Sequence, residues 1–148
     1  MVGGVSQGVY YIYSQELQDK LQDKFRAFDS VMMKILAKYQ SKKKLIPSDR
    51  SELVNAGEDY FSGLRNMCNS ILANKLDKVF IKGEHKHLLD QPENIENYYR
   101  LVNKVESQLG IPSQKFIKEK YDSVYKVYNL YFGKKKKFYQ ILKLLRLY

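Results

Sequence analysis

The sequence has no tryptophan, one cysteine, two histidines and three prolines. Each shortage removes a class of protein. A single cysteine, Cys68, leaves no internal disulfide framework and fits a reducing compartment. Three prolines and eight glycines are few for an all-β chain, which needs a turn residue at every short connection. No run approaches the roughly 18 consecutive apolar residues of a membrane span. Met1 to Gly8 lacks a basic region followed by an apolar stretch, so no secretory signal is read and a cytoplasmic location is expected.

Catalytic patterns are equally scarce. The sequence holds no Walker-type phosphate loop and no Gly-x-Ser-x-Gly turn. Glu58 and Asp59 are adjacent, which sends them to different faces of a helix. Glu93 and Glu96 share a face, but at the start of a helix, where the dipole accounts for them. Glu84-His85-Lys86-His87 with Asp90 is the one ligand-like cluster. It lacks a nearby third strong ligand and carries a repelling lysine, so two loop histidines are expected rather than a metal site. Cys68 falls on an apolar helix face and reads as a small buried residue, not a nucleophile. No catalytic residue, no metal and no cofactor is expected.

What is present is helical periodicity. The 148 residues are 44% hydrophobic, enough for one domain with a true core. Residues 1–13 carry three glycines and then a β-branched and aromatic run, which predicts a flexible arm or a short strand. From Ser14, Leu17, Leu21, Phe25, Phe28, Met32, Ile35 and Tyr39 recur every three or four residues and predict a first helix ending near Ser41–Lys44. Asp49 and Glu52 have capping-box spacing and predict the start of a second helix after Pro47, running toward Gly83. Gly57 and Gly63 inside it imply either a close helix crossing or a break. Pro92 and Gly110 bracket a third stripe of Ile95, Tyr98, Val102, Val105 and Leu109. Ser113 is read as the cap of a fourth helix with Ile117, Tyr121, Val124, Tyr128 and Tyr131. Beyond Gly133, Phe138 to Tyr148 form a fifth amphipathic segment. The expected fold is all-α: a compact bundle of four to five amphipathic helices over residues 14–148, with a basic C-terminal helix.

Charge is the most informative feature. Lysine and arginine number 26 against 16 acids, a net +10. Residues 112–148 hold ten of those bases, opposed by Glu119 and Asp122 alone. A one-sided field of this size draws polyanions. Each lysine that meets a phosphate releases condensed counterions, which gives affinity without base reading. Lysines outnumber arginines about four to one, which favours point contacts to the backbone over forked contacts to base edges. The expected nucleic-acid contacts are Lys134, Lys135, Lys136, Lys137, Lys143, Arg146 and Lys126, with Lys42, Lys43 and Lys44 as a second patch. Tyr125 and Tyr139 fall off the main stripe and are candidates for stacking on unpaired bases. Arg65 and Arg100 read as surface ion-pair partners. A basic helix of this kind also suits an acidic protein groove.

The run from Phe116 to Lys134, FIKEKYDSVYKVYNLYFGK, resembles the aromatic final helix ending in Gly-Lys of the small subunits of CRISPR effector complexes. Tyr60 to Asn66, with Arg65, partly matches their arginine-bearing middle helix, and the tail after Gly133 is longer than theirs. The resemblance implies a non-enzymatic basic subunit that contacts nucleic-acid backbone inside a larger assembly. Its partners would be nucleic acid and other protein subunits, copies of itself among them, and no membrane. The helical coat proteins of archaeal filamentous viruses are similar at the same coarse level.

Overall fold

Leu21, Phe28 and Ile35 lie seven residues apart, two helical turns each, and turn one side of a long helix inward. The computed structural model describes the backbone of residues 2–73, 86–89 and 91–130 and the side chains of residues 16–73, 87–89 and 91–130. Within them the chain forms α1 (Val2–Gln40), α2 (Pro47–Leu72), α3 (Glu93–Leu109) and α4 (Asp122–Tyr128), with 3-10 turns at Lys86–Leu88 and Lys118–Tyr121. The fold is an all-α bundle, and no strand occurs among the described residues.

α1 begins at Val2, so the segment expected as an arm or strand is helical. Adding a residue to an existing helix costs far less than nucleating one, and the long amphipathic stretch downstream supplies the nucleus. The helix ends at Gln40, as its lysine-rich terminus predicts. Lys42 adopts the left-handed conformation (φ 56°), and the Lys43 N–H donates to the Lys38 carbonyl (3.0 Å). That bond closes the helix in the manner glycine usually serves.

α2 starts at Pro47, earlier than Asp49 as cap would allow. Asp49 sits at the third helical position instead. Its carboxylate accepts from the Ile46 N–H (2.9 Å), and its own N–H donates to the Ile46 carbonyl (2.9 Å). The acid half of a capping box is thus present without a hydroxyl partner. The predicted extension of this helix toward Gly83 falls on residues 74–85, outside the described residues.

α2 is the central helix, packed against α1, α3 and α4. It runs antiparallel to α1: Gly63 meets Leu21, and Lys38 meets Asp49. It is also antiparallel to α3, where Gly57 faces Tyr98 and Arg50 reaches Glu106. Gly57 allows a close crossing and not a break: a Cβ there would collide with the Tyr98 ring. At the level of this crossing Phe28 packs against Tyr60, Phe61 and Tyr98 with ring centroids 5.2–5.6 Å apart. Offset and edge-on contacts of this kind add to what area burial alone contributes.

α3 keeps the predicted stripe, with Ile95, Tyr98, Val102 and Val105 buried, and Gly110 ends it at φ 70°. Ser113 does not cap a helix. Residues 111–117 are irregular, and helical structure resumes at Lys118. The buried carboxylate of Glu106 accepts from the Gln114 N–H (3.1 Å) and ties this irregular segment back to α3. α4 then docks on α2 through Ser123, whose hydroxyl donates to the Arg65 carbonyl (3.4 Å), with Tyr121 and Val124 buried.

Candidate functional site

The contacts expected at Lys134–Lys137, Lys143 and Arg146, and the stacking expected at Tyr139, lie outside the described residues. The remaining candidates are Lys42–Lys44 and Lys126. Lys42, Lys43 and Lys44 are exposed on the turn between α1 and α2. None of the three makes an ion pair among the described residues. The neighbouring acid Asp49 is already committed to Lys38, at 2.9 and 3.1 Å from its two oxygens. Burial pushes the Asp49 carboxyl up, but the Ile46 N–H and the Lys38 ammonium outweigh it and hold it below its ordinary value. A carboxylate so engaged leaves the three lysines uncompensated.

Lys126 is also exposed and without an ion pair among the described residues. It does not join the lysine turn. It lies one turn beyond Ser123, which meets α2 at Arg65. Arg65 is about 24 Å along the α2 axis from Asp49, at 1.5 Å per residue. The two described patches therefore sit toward opposite ends of α2.

Other candidate side chains are occupied within the fold. Tyr125 is no stacking platform. Its hydroxyl donates to Glu96 (3.0 Å) and the Lys118 ammonium lies over its ring at 4.9 Å. Burial and the Glu96 carboxylate push its hydroxyl up to about 12. Tyr121 belongs to the core, as its spacing predicts, and its hydroxyl lies 3.3 Å from that of Tyr99. Arg100 is exposed and pairs with Glu96 one turn back at 3.9 Å. Cys68 is fully buried, and burial alone pushes its thiol up to about 12, far from a nucleophile's range. His87 rests edge-on against Phe25, ring centroids 5.6 Å apart. Glu84, His85 and Asp90 lie outside the described residues.

Periodicity does not reveal a concavity that lies between α1 and α3. α1 and α3 both pack on α2 but leave a groove of about 570 Å³ between them. Phe25, Phe28, Met32 and Leu36 of α1 form one wall, and Tyr60 and Phe61 of α2 form the floor. The α3 wall is polar toward its start, with Asn94 and Asn97, and basic toward its end, with Arg100 and Lys104 around Leu101. Its signal in the sequence is the spacing Gln91, Asn94, Asn97, Leu101 and Lys104, a mixed stripe beside the apolar one, which a single-face reading treats as solvent.

Comparison with protein-family models, with curated proteins and with solved structures finds no match to this chain.

Proposed function

We propose that this protein is a non-enzymatic helical module that contacts the phosphate backbone of nucleic acid as one subunit of a larger cytoplasmic assembly. The observation that carries this reading is the Lys42–Lys44 turn, three exposed ammonium groups with no ion pair among the described residues. The ten bases against two acids in residues 112–148 point the same way. A cluster of lysines with no internal counter-charge is a site for polyanions, and lysine on a phosphate carries no base preference. The likeness of residues 116–134 to the small subunits of CRISPR effector complexes supports the choice of assembly.

The test is binding of a duplex or single-stranded oligonucleotide across a range of salt. On duplex DNA, log K falls against log salt by about 0.9 per phosphate neutralised. Changing Lys134–Lys137 to glutamine is expected to weaken binding and flatten that slope. Lys42→Gly with Lys43→Gln and Lys44→Gln flattens it further. The Lys42→Gly change also relieves a left-handed lysine, which stabilises the fold by up to about 1 kcal/mol. Weaker binding by this variant is then not a consequence of unfolding. A slope that stays the same in both sets rejects the proposal.

A further inference from the structure

The groove between α1 and α3 has the length, lining and charge of a docking site for a helix. Phe25 to Leu36 spans about 17 Å of α1, or three turns. Phe25, Phe28, Met32 and Leu36 recur at three and four residues, the spacing with which an amphipathic partner interleaves. Phe25, Met32 and Leu36 pack against the core but are only half-buried, so each keeps an exposed outer surface. Methionine and aromatic walls adapt to an incoming apolar face.

Charge selects the occupant. Arg100, exposed and only loosely paired with Glu96 at 3.9 Å, stands with Lys104 at one end of the groove, and Lys104 lies 5.7 Å over the ring of Tyr39, in the last turn of α1. Asp29, the groove's one acid among the lining residues, sits near mid-length on the α1 wall. The groove is thus apolar along its floor and basic at one end. We infer that it binds an acidic amphipathic helix of a partner protein, with the C-terminal, negative end of that helix toward Arg100 and Lys104. A nucleic-acid strand suits it less, because an apolar floor and Asp29 offer nothing to a phosphate. This inference stands apart from the phosphate reading, since its anchors are not the proposed phosphate contacts.

The probe is a fluorescein-labelled synthetic peptide of about 16 residues, with leucine at every third and fourth position and glutamate in its last turns, followed by anisotropy. A twin peptide carries lysine for glutamate. The full-length protein is expected to bind the acidic peptide at least about tenfold more tightly than its twin. Arg100→Glu with Lys104→Glu, both at exposed positions, reverses that order and leaves the melting temperature unchanged. Met32→Glu abolishes binding of both peptides. Equal binding of the twins, no binding, or indifference to the double variant overturns the inference. So does a concentration-dependent dimer that Met32→Glu dissolves, which would assign the groove to a second copy. Displacement of the peptide by an oligonucleotide from the variant with Lys42→Gly, Lys43→Gln and Lys44→Gln would assign it to nucleic acid, and equally overturns it.

Discussion

α2 offers one flank to α1 and another to α3, and the two seams are held by different means. Along α1 the edge is laced by pairs in solvent: Lys24 with Asp59 at 3.3 Å and Lys34 with Glu52 at 3.0 Å, all four side chains 40% or more exposed. Exposed pairs of this kind contribute little each, about 0.2–1 kcal/mol. Along α3 the fixings are few and buried. Arg50 meets a Glu106 carboxylate that is wholly out of solvent, and Gly57 lies directly under the Tyr98 ring. The Tyr98 hydroxyl adds a bond to Glu58 at 3.3 Å. The solvent pairs of the first seam tolerate loss at any one point, whereas the second seam concentrates its specificity in single atoms. α1 and α3 themselves meet at Phe28 and Tyr98 and again at Tyr39 and Lys104, with the groove between them.

The largest expected effect lies at Glu106. Glu106→Ala strips Arg50 and the Gln114 N–H of their partner together. Breaking a buried pair costs about 3–5 kcal/mol. Arg50 retains 29% exposure and can recover water, so the lower end, about 3 kcal/mol, is expected in urea denaturation. Glu106→Gln keeps an acceptor for Gln114 and should cost visibly less. If the alanine variant unfolds no more readily than wild type, the α3 seam is not the concentrated one.

The two glycines of α2 sharpen the same contrast. Alanine in place of a helical glycine ordinarily gains about 1 kcal/mol. At Gly57 the new methyl meets the buried ring of Tyr98, which cannot move aside, and overpacking of this sort costs about 1–3 kcal/mol. Gly57→Ala should therefore destabilise. At Gly63 the nearest atom is Leu21 Cδ1 at 3.1 Å, the end of a flexible side chain on the α1 seam. Gly63→Ala should be neutral or stabilising. Thermal melts of the pair check the sign difference, and equal shifts would contradict it.

These seams also mark how far the sequence could be read. The stripes on α1 and α3 were legible because one face of each is buried, and a 3.6-residue period reports that directly. Gly57 was legible as a question, close crossing or break, and only Tyr98 on a different helix answers it. Glu106 was not legible, because its partner Arg50 lies 56 residues away and no local spacing links them. The same carboxylate also holds the Gln114 N–H, a tie that the Ser113 cap pattern does not foretell. The start of α1 was misread because β-branched and aromatic residues have weak preferences that a neighbouring helix overrides. Of the candidate site, the lysine turn was plain from composition. The groove needed the α1–α3 spacing, a tertiary quantity that periodicity does not carry.

The smallest effects concern the α1 seam itself, where Asp49 is the exception that tests the rule. It is 2% exposed and shares a buried bond with Lys38, unlike the solvent pairs beside it. Its folded carboxyl titrates below the unfolded value of about 3.9. The sign follows: the unfolded chain takes up the proton first, so the stability Asp49 supplies is whole above about pH 5 and drains as pH falls through 4 and below. Melting temperature measured from about pH 6 down to about pH 3 should fall less steeply for Asp49→Asn than for wild type. Lys34→Ala should flatten the slope only slightly, through the small pull of Lys34 on Asp49, and move stability by under about 0.5 kcal/mol, because Lys34 and Glu52 are both hydrated. A Lys34→Ala effect as large as that of Asp49→Asn would mean that the solvent pairs, and not the one buried acid, hold α1 against α2.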